Sequence, residues 1–469
     1  MSVWSAVKNS SKLQSLEQAF GAKDITGTEM KNAIIEWFRA YFDDSFSKYE
    51  DRGQRLPALI VNKLYKTVFS EYAVTISGAQ EQFLTPVLNR IAKLRKRAVQ
   101  LALIGGECFI KPVIFHDSID FLMVRRDAFI PFARDSAGKI TDIGTTETTV
   151  VSGRYYTLLE RRTVDSSGTL TVKSQLYQSD TPDFIGVPVP LNTLEKYAGI
   201  EPEIVLPGIF NLGMVQLHTP MENTVDGSDS GVSVYAAAMG LIRNINRNER
   251  QLCDEFENGV SRIIASSDFL STDDFGNKSI SDTLFTAVDD NPENVGVTIF
   301  NPTLREASYL ARKQEYLRNC ESLIGLKRGI LSEVEAAERT ATEITSSEGD
   351  YNLTIIDFQE CWSDALKELL STCVRLGQLY HLTGSGVFDP ESDIVIDWGD
   401  GVLYNRDKTW QEYSAMVASG LLKPELALAW YFDLPHDTPA DIQKIRDAYM
   451  PEMEAILEDG GAEPAKNMA

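Results

Sequence analysis

Hydrophobic residues recur along this chain with two periods, and the period changes several times. Behind Thr26-Gly27-Thr28-Glu29, the residues Ala33, Ile34, Trp37, Phe38 and Tyr41 step by three and four. Those first four form a capping box, in which the threonine hydroxyl and the glutamate carboxylate each satisfy an unpaired backbone N–H, so a helix is predicted to begin there. Further helical patterns run from Leu56 to Ser70 and from Gln80 to Ile104, and the N-terminal region therefore opens all-helical. From Glu107 to Gln178 the pattern shortens to β-rich runs at 107–115, 119–124, 148–162 and 169–177. Turn chemistry at Ser136-Ala137-Gly138 and Ser166-Ser167-Gly168 separates such runs and predicts antiparallel hairpins. Residues 188–230, rich in Pro, Gly, Asn and Asp, read as a winding connection.

Helical spacing then returns. Tyr235, Met239, Ile242, Ile245, Leu252, Phe256, Val260 and Ile263 mark one face, and Arg243, Asn246, Arg247, Arg250, Asp254 and Glu257 the other. One helix over 231–263 would be roughly 50 Å long at about 1.5 Å per residue. Residues 265–302 break the period and include a strand-like run at 296–300. A second capping box, Thr303-x-x-Glu306, opens a helix to Ile324, so two antiparallel helices are predicted to hold a small β-rich insertion at their far end. After a break over 325–339, a third box, Thr340-Ala341-Thr342-Glu343, opens the longest pattern. Phe358, Trp362, Ala365, Leu369, Cys373, Leu376 and Tyr380 line one face; Leu366, Leu370 and Val374 widen it, which predicts burial on more than one side. Gly349 is placed to bend this helix. A short strand over 393–398 and helices over 409–419, 424–432 and 439–457 follow, with 460–469 a loose tail. The predicted class is α+β, mainly α.

At 469 residues the chain exceeds one compact core, and about three domains are expected. The longest apolar stretch, Tyr235 to Ile242, is far short of the roughly 20 residues that cross a bilayer, and Met1 to Lys12 has no apolar signal core, so no membrane association is expected. Five cysteines without a CxxC pair read as buried thiols rather than disulfides or a zinc cluster. Asp and Glu total 68 against 45 Lys and Arg, a net charge of −23 that disfavours tight gripping of nucleic-acid phosphates. The chain has no GxxxxGK[ST] loop, no HExxH and no GxSxG, and Gly105-Gly106 follows a helix and precedes a strand, the order of a helix-ending turn rather than a dinucleotide site. No catalytic residue, metal or cofactor is assigned. The acidic set Asp389, Glu391, Asp393, Asp397 and Asp400 could in principle hold metal for a nuclease, but Pro390, Gly399 and Gly401 make it two solvated turns around a strand. The basic knots are Arg95-Lys96-Arg97 and Arg125-Arg126, and the knot of three, on an amphipathic helix, reads as a solvated or subunit-contacting face rather than a nucleic-acid patch.

The order of these elements, with GTEMKNAIIEWFRAYF (27–42), LALIGGECFIKP (101–112), RYYTLLERR (154–162), GVSVYAAAMGLI (231–242), DEFENGVSRI (254–263) and above all RTATEI (339–344), resembles the portal proteins of tailed bacteriophages. The resemblance implies a portal fold: 1–230 as wing, 231–263 and 304–324 as the two stem helices, 264–303 as clip, 325–341 as tunnel loop, 342–405 as spine helix and further wing, and 406–469 as crown and tail. It implies a non-enzymatic ring, usually of twelve subunits, at one capsid vertex of the virion, assembled in the host cytoplasm. Double-stranded DNA enters through the ring, is retained and leaves by it. The implied partners are the major capsid protein and scaffold, the terminase large subunit and a head-completion or adaptor protein. Another oligomeric head or connector protein is the alternative.

On that resemblance Lys327, Arg328, Glu335, Glu338 and Arg339 are the candidates for the channel, and Thr340 and Glu343 hinge the loop on a rigid helix end. Asp273, Asp274, Phe275, Asn277 and Lys278 are the candidates for docking at the clip, by loop position and exposure alone. An acidic wall with sparse cations would let the duplex slide.

Overall fold

The computed structural model describes residues 10–42, 54–115, 117–260, 262–265, 270–272, 274–276, 278–280, 297–333, 341–399, 406–432, 434–436 and 438–450. The chain divides into two units, Met1–Asp397 and Trp398–Ala469. The first opens on α1 (Ser10–Phe20), which no capping signal announces and which buries Leu16 and Phe20. Next, α2 (Thr28–Phe42) buries Met30, Ile34, Trp37 and Phe38, much of the predicted stripe. It starts where expected but without the expected cap. Its first helical bond runs from the Lys31 N–H to the Gly27 carbonyl at 3.0 Å, while the Thr26 hydroxyl accepts from the Arg126 guanidinium at 3.5 Å. A buried cation has captured the threonine that the pattern assigns to the helix end.

Three elements follow, α3 (Leu56–Val68), β1 (Ala73–Ile76) and α4 (Glu81–Gly105). α3 and α4 run antiparallel, with the Gln100 amide donating to Asn62 Oδ1 at 3.1 Å and Lys96 over the Tyr65 ring. α4 ends at Gly106, φ 85°, as its sequence predicts. A Cβ at Gly106 would stand 2.2 Å from the Gly231 carbonyl oxygen, so two backbones touch at this point.

The strands are β2 (Glu107–Phe115), β3 (Ser118–Arg125), β4 (Phe129–Arg134), β5 (Ile140–Val151), β6 (Arg154–Val164), β7 (Thr169–Ser179), β8 (Val187–Val189), β9 (Glu203–Pro207) and β10 (Val215–His218). Three of them form a sheet in the order β10-β2-β3; the others form β4-β5-β6-β7-β8, with β9 on the opposite end of β7, all antiparallel. The run predicted over 148–162 is in fact two strands. Val151 pairs with Arg154 across Ser152 and Gly153, both at positive φ, a two-residue hairpin turn. The winding stretch 188–230 also supplies three short strands, because β7 and β2 offer unpaired edges to it. Phe109, Phe129, Ile140, Ile143, Leu212 and Met214 pack into one buried cluster that ties the two sheets together.

Then come α5 (Met239–Asn258), β11 (Arg262–Ala265), β12 (Leu270–Thr272), β13 (Lys278–Ile280), β14 (Val297–Phe300) and α6 (Glu306–Ile324). The helix predicted over 231–263 is thus 20 residues, about 30 Å long. Val232, Val234, Tyr235 and Ala238 are apolar at helical spacing but serve as a buried plug. The Val234 N–H and Ser233 hydroxyl donate to the Leu103 carbonyl (3.0 and 3.1 Å), and the Tyr235 hydroxyl donates to the Trp37 carbonyl at 2.9 Å. Such ties to α4 and α2 compete successfully with helical bonds. At the other end the helix yields to β11, which pairs antiparallel with β14.

α7 (Ala341–Leu379) spans 39 residues, about 58 Å, and continues through Gly349. Phe358, Trp362, Ala365, Leu366, Leu369, Leu370, Cys373, Val374 and Leu376 are all buried, as the broad stripe predicts; Tyr380, past the helix end, is exposed. Trp362 Nε1 donates to the Tyr72 hydroxyl at 2.8 Å, which fixes α7 against the end of α3. β15 (Ile394–Asp397) pairs with β1, closing the unit.

The second unit holds α8 (Arg406–Ala418), α9 (Pro424–Phe432) and α10 (Pro439–Tyr449). Aromatic pairs Trp410–Tyr431 and Tyr413–Trp430 join α8 to α9, and Arg446 pairs with Glu425 to join α10 to α9. Residues 451–469, with the end of the helix predicted to Leu457 and the predicted tail, lie outside the described residues.

Candidate functional site

The helix pair α5 and α6 carries at its two ends five of the described residues that the sequence singles out, Asp274, Phe275, Lys278, Lys327 and Arg328. Three contacts fix its direction: Asn248 donates to the Tyr309 carbonyl (3.0 Å), Lys313 pairs with Glu249 (3.1 Å) and Arg305 with Glu255 (2.8 Å). Glu255 near the end of α5 meets Arg305 at the start of α6, while the earlier Asn248 and Glu249 meet the later Tyr309 and Lys313, so the pair is antiparallel. Asn248 is fully buried, a polar pin that sets the register of an otherwise apolar seam. The predicted Thr303 cap is not what starts α6. Arg305 holds the N-cap position without a side-chain cap bond, and Glu255 of α5 accepts its backbone N–H at 2.7 Å. The same carboxyl, held down to about 2 by Arg305, thereby locks the two helix ends together.

Beyond that lock stands the ladder of β11 and β14, and beyond it the β12–β13 hairpin. Asp274 and Phe275 lie in its turn, both exposed, Phe275 at 92%. Lys278 opens β13, while Asp273 and Asn277 lie outside the described residues.

At the opposite end of α6 the chain turns back on itself. Gly325 takes the left-handed conformation, φ 76°, and ends the helix at Ile324 as predicted. Glu321, one turn earlier and fully buried, then gathers the following loop. Its Oε1 accepts the N–H groups of Gly329 (3.1 Å), Leu331 (2.5 Å) and Ser332 (2.9 Å), and its Oε2 accepts the Ser332 hydroxyl (2.8 Å). Gln314 accepts the Glu333 N–H at 2.9 Å. This nest turns Lys327 and Arg328 to the surface. Glu335, Glu338, Arg339 and Thr340 lie outside the described residues, and Glu343 is placed in the first turn of α7. The sequence reading missed Glu321, whose only signal is a glutamate on the apolar side of a helix, between Cys320 and Ile324.

The sequence reading also missed a buried ion pair. Arg126, half of a basic knot in the sequence, is fully buried, and its Nε stands 2.7 Å from Glu107 Oε1, itself fully buried. Burial pulls the guanidinium below its ordinary value, and Glu107 and Asp24 oppose this. A second buried carboxylate, Glu160, is held by Arg162 (2.6 Å) and Lys111 (2.7 Å). Burial pushes the Glu160 carboxyl up, but the two cations overrule it and hold it down to about 2.

The acidic set near β15 is taken up by its own turn. Asp389 accepts from the Glu391 N–H and the Ser392 hydroxyl, Asp393 accepts the Asp389 N–H, and Glu391 pairs with Lys367. Asp400 lies outside the described residues. Among the described residues no group of three His, Cys, Asp or Glu side chains is placed to hold a metal ion, and no helix is long and apolar enough to cross a membrane.

The sequence model of the family described as "Phage portal protein, SPP1 Gp6-like" matches residues 89–455, more than three quarters of the chain. The chain belongs to this portal family. No curated protein matches it. Among solved structures, it is similar to a chain of an assembly titled "Neck of native GTA particle computed with C12 symmetry", at 12% identity and a TM-score of 0.47, over 89% of this chain and 98% of that one. The match of this portal chain to its family spans the antiparallel helix pair, the Glu321 nest and α7 together.

Proposed function

We propose that the chain is one subunit of a ring, twelve-membered, that forms the DNA channel at a single vertex of a phage capsid. The observation that carries this reading is the family match across residues 89–455. The paired helices α5 and α6 are the stem, the strands between them the clip, the segment from Gly325 to Ala341 the tunnel loop and the second unit the crown. The helix pair supports it: Phe256, Leu310 and Leu323 are 44 to 48% exposed on helices otherwise rich in charge, apolar surface that neighbouring subunits would cover. The exposed turn at Asp274 and Phe275 is the docking tip for the terminase large subunit during packaging and for an adaptor protein afterwards. Capsid and scaffold proteins meet the wing.

In this reading Lys327 and Arg328 meet the DNA. With Arg339 of the same loop they make three cations per subunit in a chain of net charge −23, which touch phosphates without gripping them and so suit a duplex that must move in both directions. A photo-reactive residue introduced at position 327 or 328 is expected to form DNA adducts in filled particles. The same group at position 275 is expected to form protein adducts instead. Filled particles without DNA adducts from either loop position would contradict the assignment.

A further inference from the structure

Positive charge is concentrated on α3 and α4. Between Leu56 and Gly106 the chain carries Lys63, Lys66, Arg90, Lys93, Arg95, Lys96 and Arg97 against only Glu71 and Glu81, although acids outnumber bases 68 to 45 overall. Two of the seven turn inward: Arg90 donates to the Ile119 carbonyl, and Arg95 lies over the rings of Phe69 (5.0 Å) and Tyr72 (4.4 Å). The other five, Lys63, Lys66, Lys93, Lys96 and Arg97, are exposed, and none of them is ion-paired among the described residues. On α3 the pair is spaced i, i+3, and on α4 the three are spaced i, i+3, i+4, so each set shares one helix face. Lys96 reaching over Tyr65, and Gln100 bonded to Asn62, join the two rows into one surface.

We propose that this cationic face is the one that receives the acidic surface of a second copy of the chain, an inference that rests on the ring reading above. Subunits of net charge −23 repel one another when packed side by side. A ring of them closes more readily where cations are gathered at the contact between neighbours, and α3 and α4 gather five of them with only Glu71 and Glu81 in the same stretch. The complement stands on α7. Asp357, Glu360 and Asp364 are exposed at i, i+3 and i+7, on the side away from Phe358 and Trp362. They line an open groove of about 790 Å³ together with Asp229, Glu368, Arg134 and Lys139, and Lys139 is paired with Glu368. Phe358 and Trp362 point toward α3, with Trp362 bonded to Tyr72 and packed on Phe69. A cationic face on α3 and α4 and a separate row of carboxylates on α7 are what a head-to-tail contact requires, since each subunit then presents a different surface to each neighbour. Duplex DNA is the competing occupant of any such face, but the acidic remainder of the chain opposes it and complements a second subunit.

The test uses the full chain and native mass measurement. The triple variant Lys93→Glu, Lys96→Glu, Arg97→Glu is expected to keep its far-ultraviolet circular dichroism and to lose more than tenfold in ring fraction at equal concentration and moderate salt. Adding Asp357→Lys, Glu360→Lys and Asp364→Lys to the same chain is expected to restore the ring. A triple variant that assembles like the parent, or that assembles and loses only duplex DNA binding, overturns the proposal. So does a folded triple variant whose ring the charge swap does not restore. A parent chain that forms no ring under any condition defeats the ring reading itself, and that outcome is separate because it is read before any substitution is made.

Discussion

Replacing Arg126 with Met is expected to destabilise the first unit by about 3–5 kcal/mol, the usual consequence of stranding one member of a buried ion pair. Among the described residues Glu107 would keep only the Gln216 amide as a side-chain partner, and it is fully buried, out of reach of solvent that could replace the lost cation. The substitution also removes the guanidinium from the Phe129 ring, 4.6 Å away, and from the Thr26 hydroxyl at the start of α2. Three parts of the unit, α2, the 3-10 turn after β3 and the start of β2, are held through this one side chain. Adding Glu107→Gln to the Met variant removes the stranded charge, so the double variant is expected to recover part of the loss. Denaturant unfolding followed by fluorescence measures both. A single-variant change below about 1 kcal/mol would mean that the pair does not carry the load assigned to it.

The second large effect is expected at Glu321. Ala there would orphan three backbone N–H groups and the Ser332 hydroxyl, and hydrogen bonds to a charged acceptor contribute about 1.5–3 kcal/mol each. The consequence is local, because the nest fastens a loop rather than the core. Amide exchange at Gly329, Leu331 and Ser332 is expected to rise roughly 100-fold, equivalent to about 3 kcal/mol of lost local protection. Glu321→Gln, which keeps one acceptor oxygen but not the charge, is expected to fall between the two. Equal protection in the parent and the Ala variant would show that the loop does not depend on this carboxylate. In channel terms the nest matters because Lys327 and Arg328 sit inside the loop that it ties down.

The sequence conveys helices far better than it conveys buried charge. The 4-3-4-4-3 spacing from Phe358 to Leu376 foretells both the existence of α7 and its burial on several sides, because a long run of apolar positions has few other solutions. Gly106 and Gly325 end their helices where expected, since positive φ has a local cause. What failed depended on partners distant in the chain. Val232 to Ala238 has helical spacing, yet it is recruited by carbonyls of α4 and α2 more than a hundred residues earlier. Thr26 and Thr303 look like caps, but Arg126 occupies one and Glu255 does the other's task. Arg126 beside Arg125 looks like a basic knot, and Glu321 looks like an ordinary helix glutamate, until the fold places Glu107 against the first and a loop backbone around the second. The residues at the site therefore split. Lys327 and Arg328 are named only through the resemblance, as channel candidates, and the carboxylate that positions their loop is not named at all.

On the proposed function this chain closes into a ring with a passage through it. The most direct measurement is the native mass of the purified full chain by light scattering, with electron micrographs of the same fraction. Twelve copies of a 52.2 kDa chain predict about 626 kDa and a central hole in every end-on particle. A compact monomer or dimer at every concentration and salt tested, with no hole in the images, would contradict it.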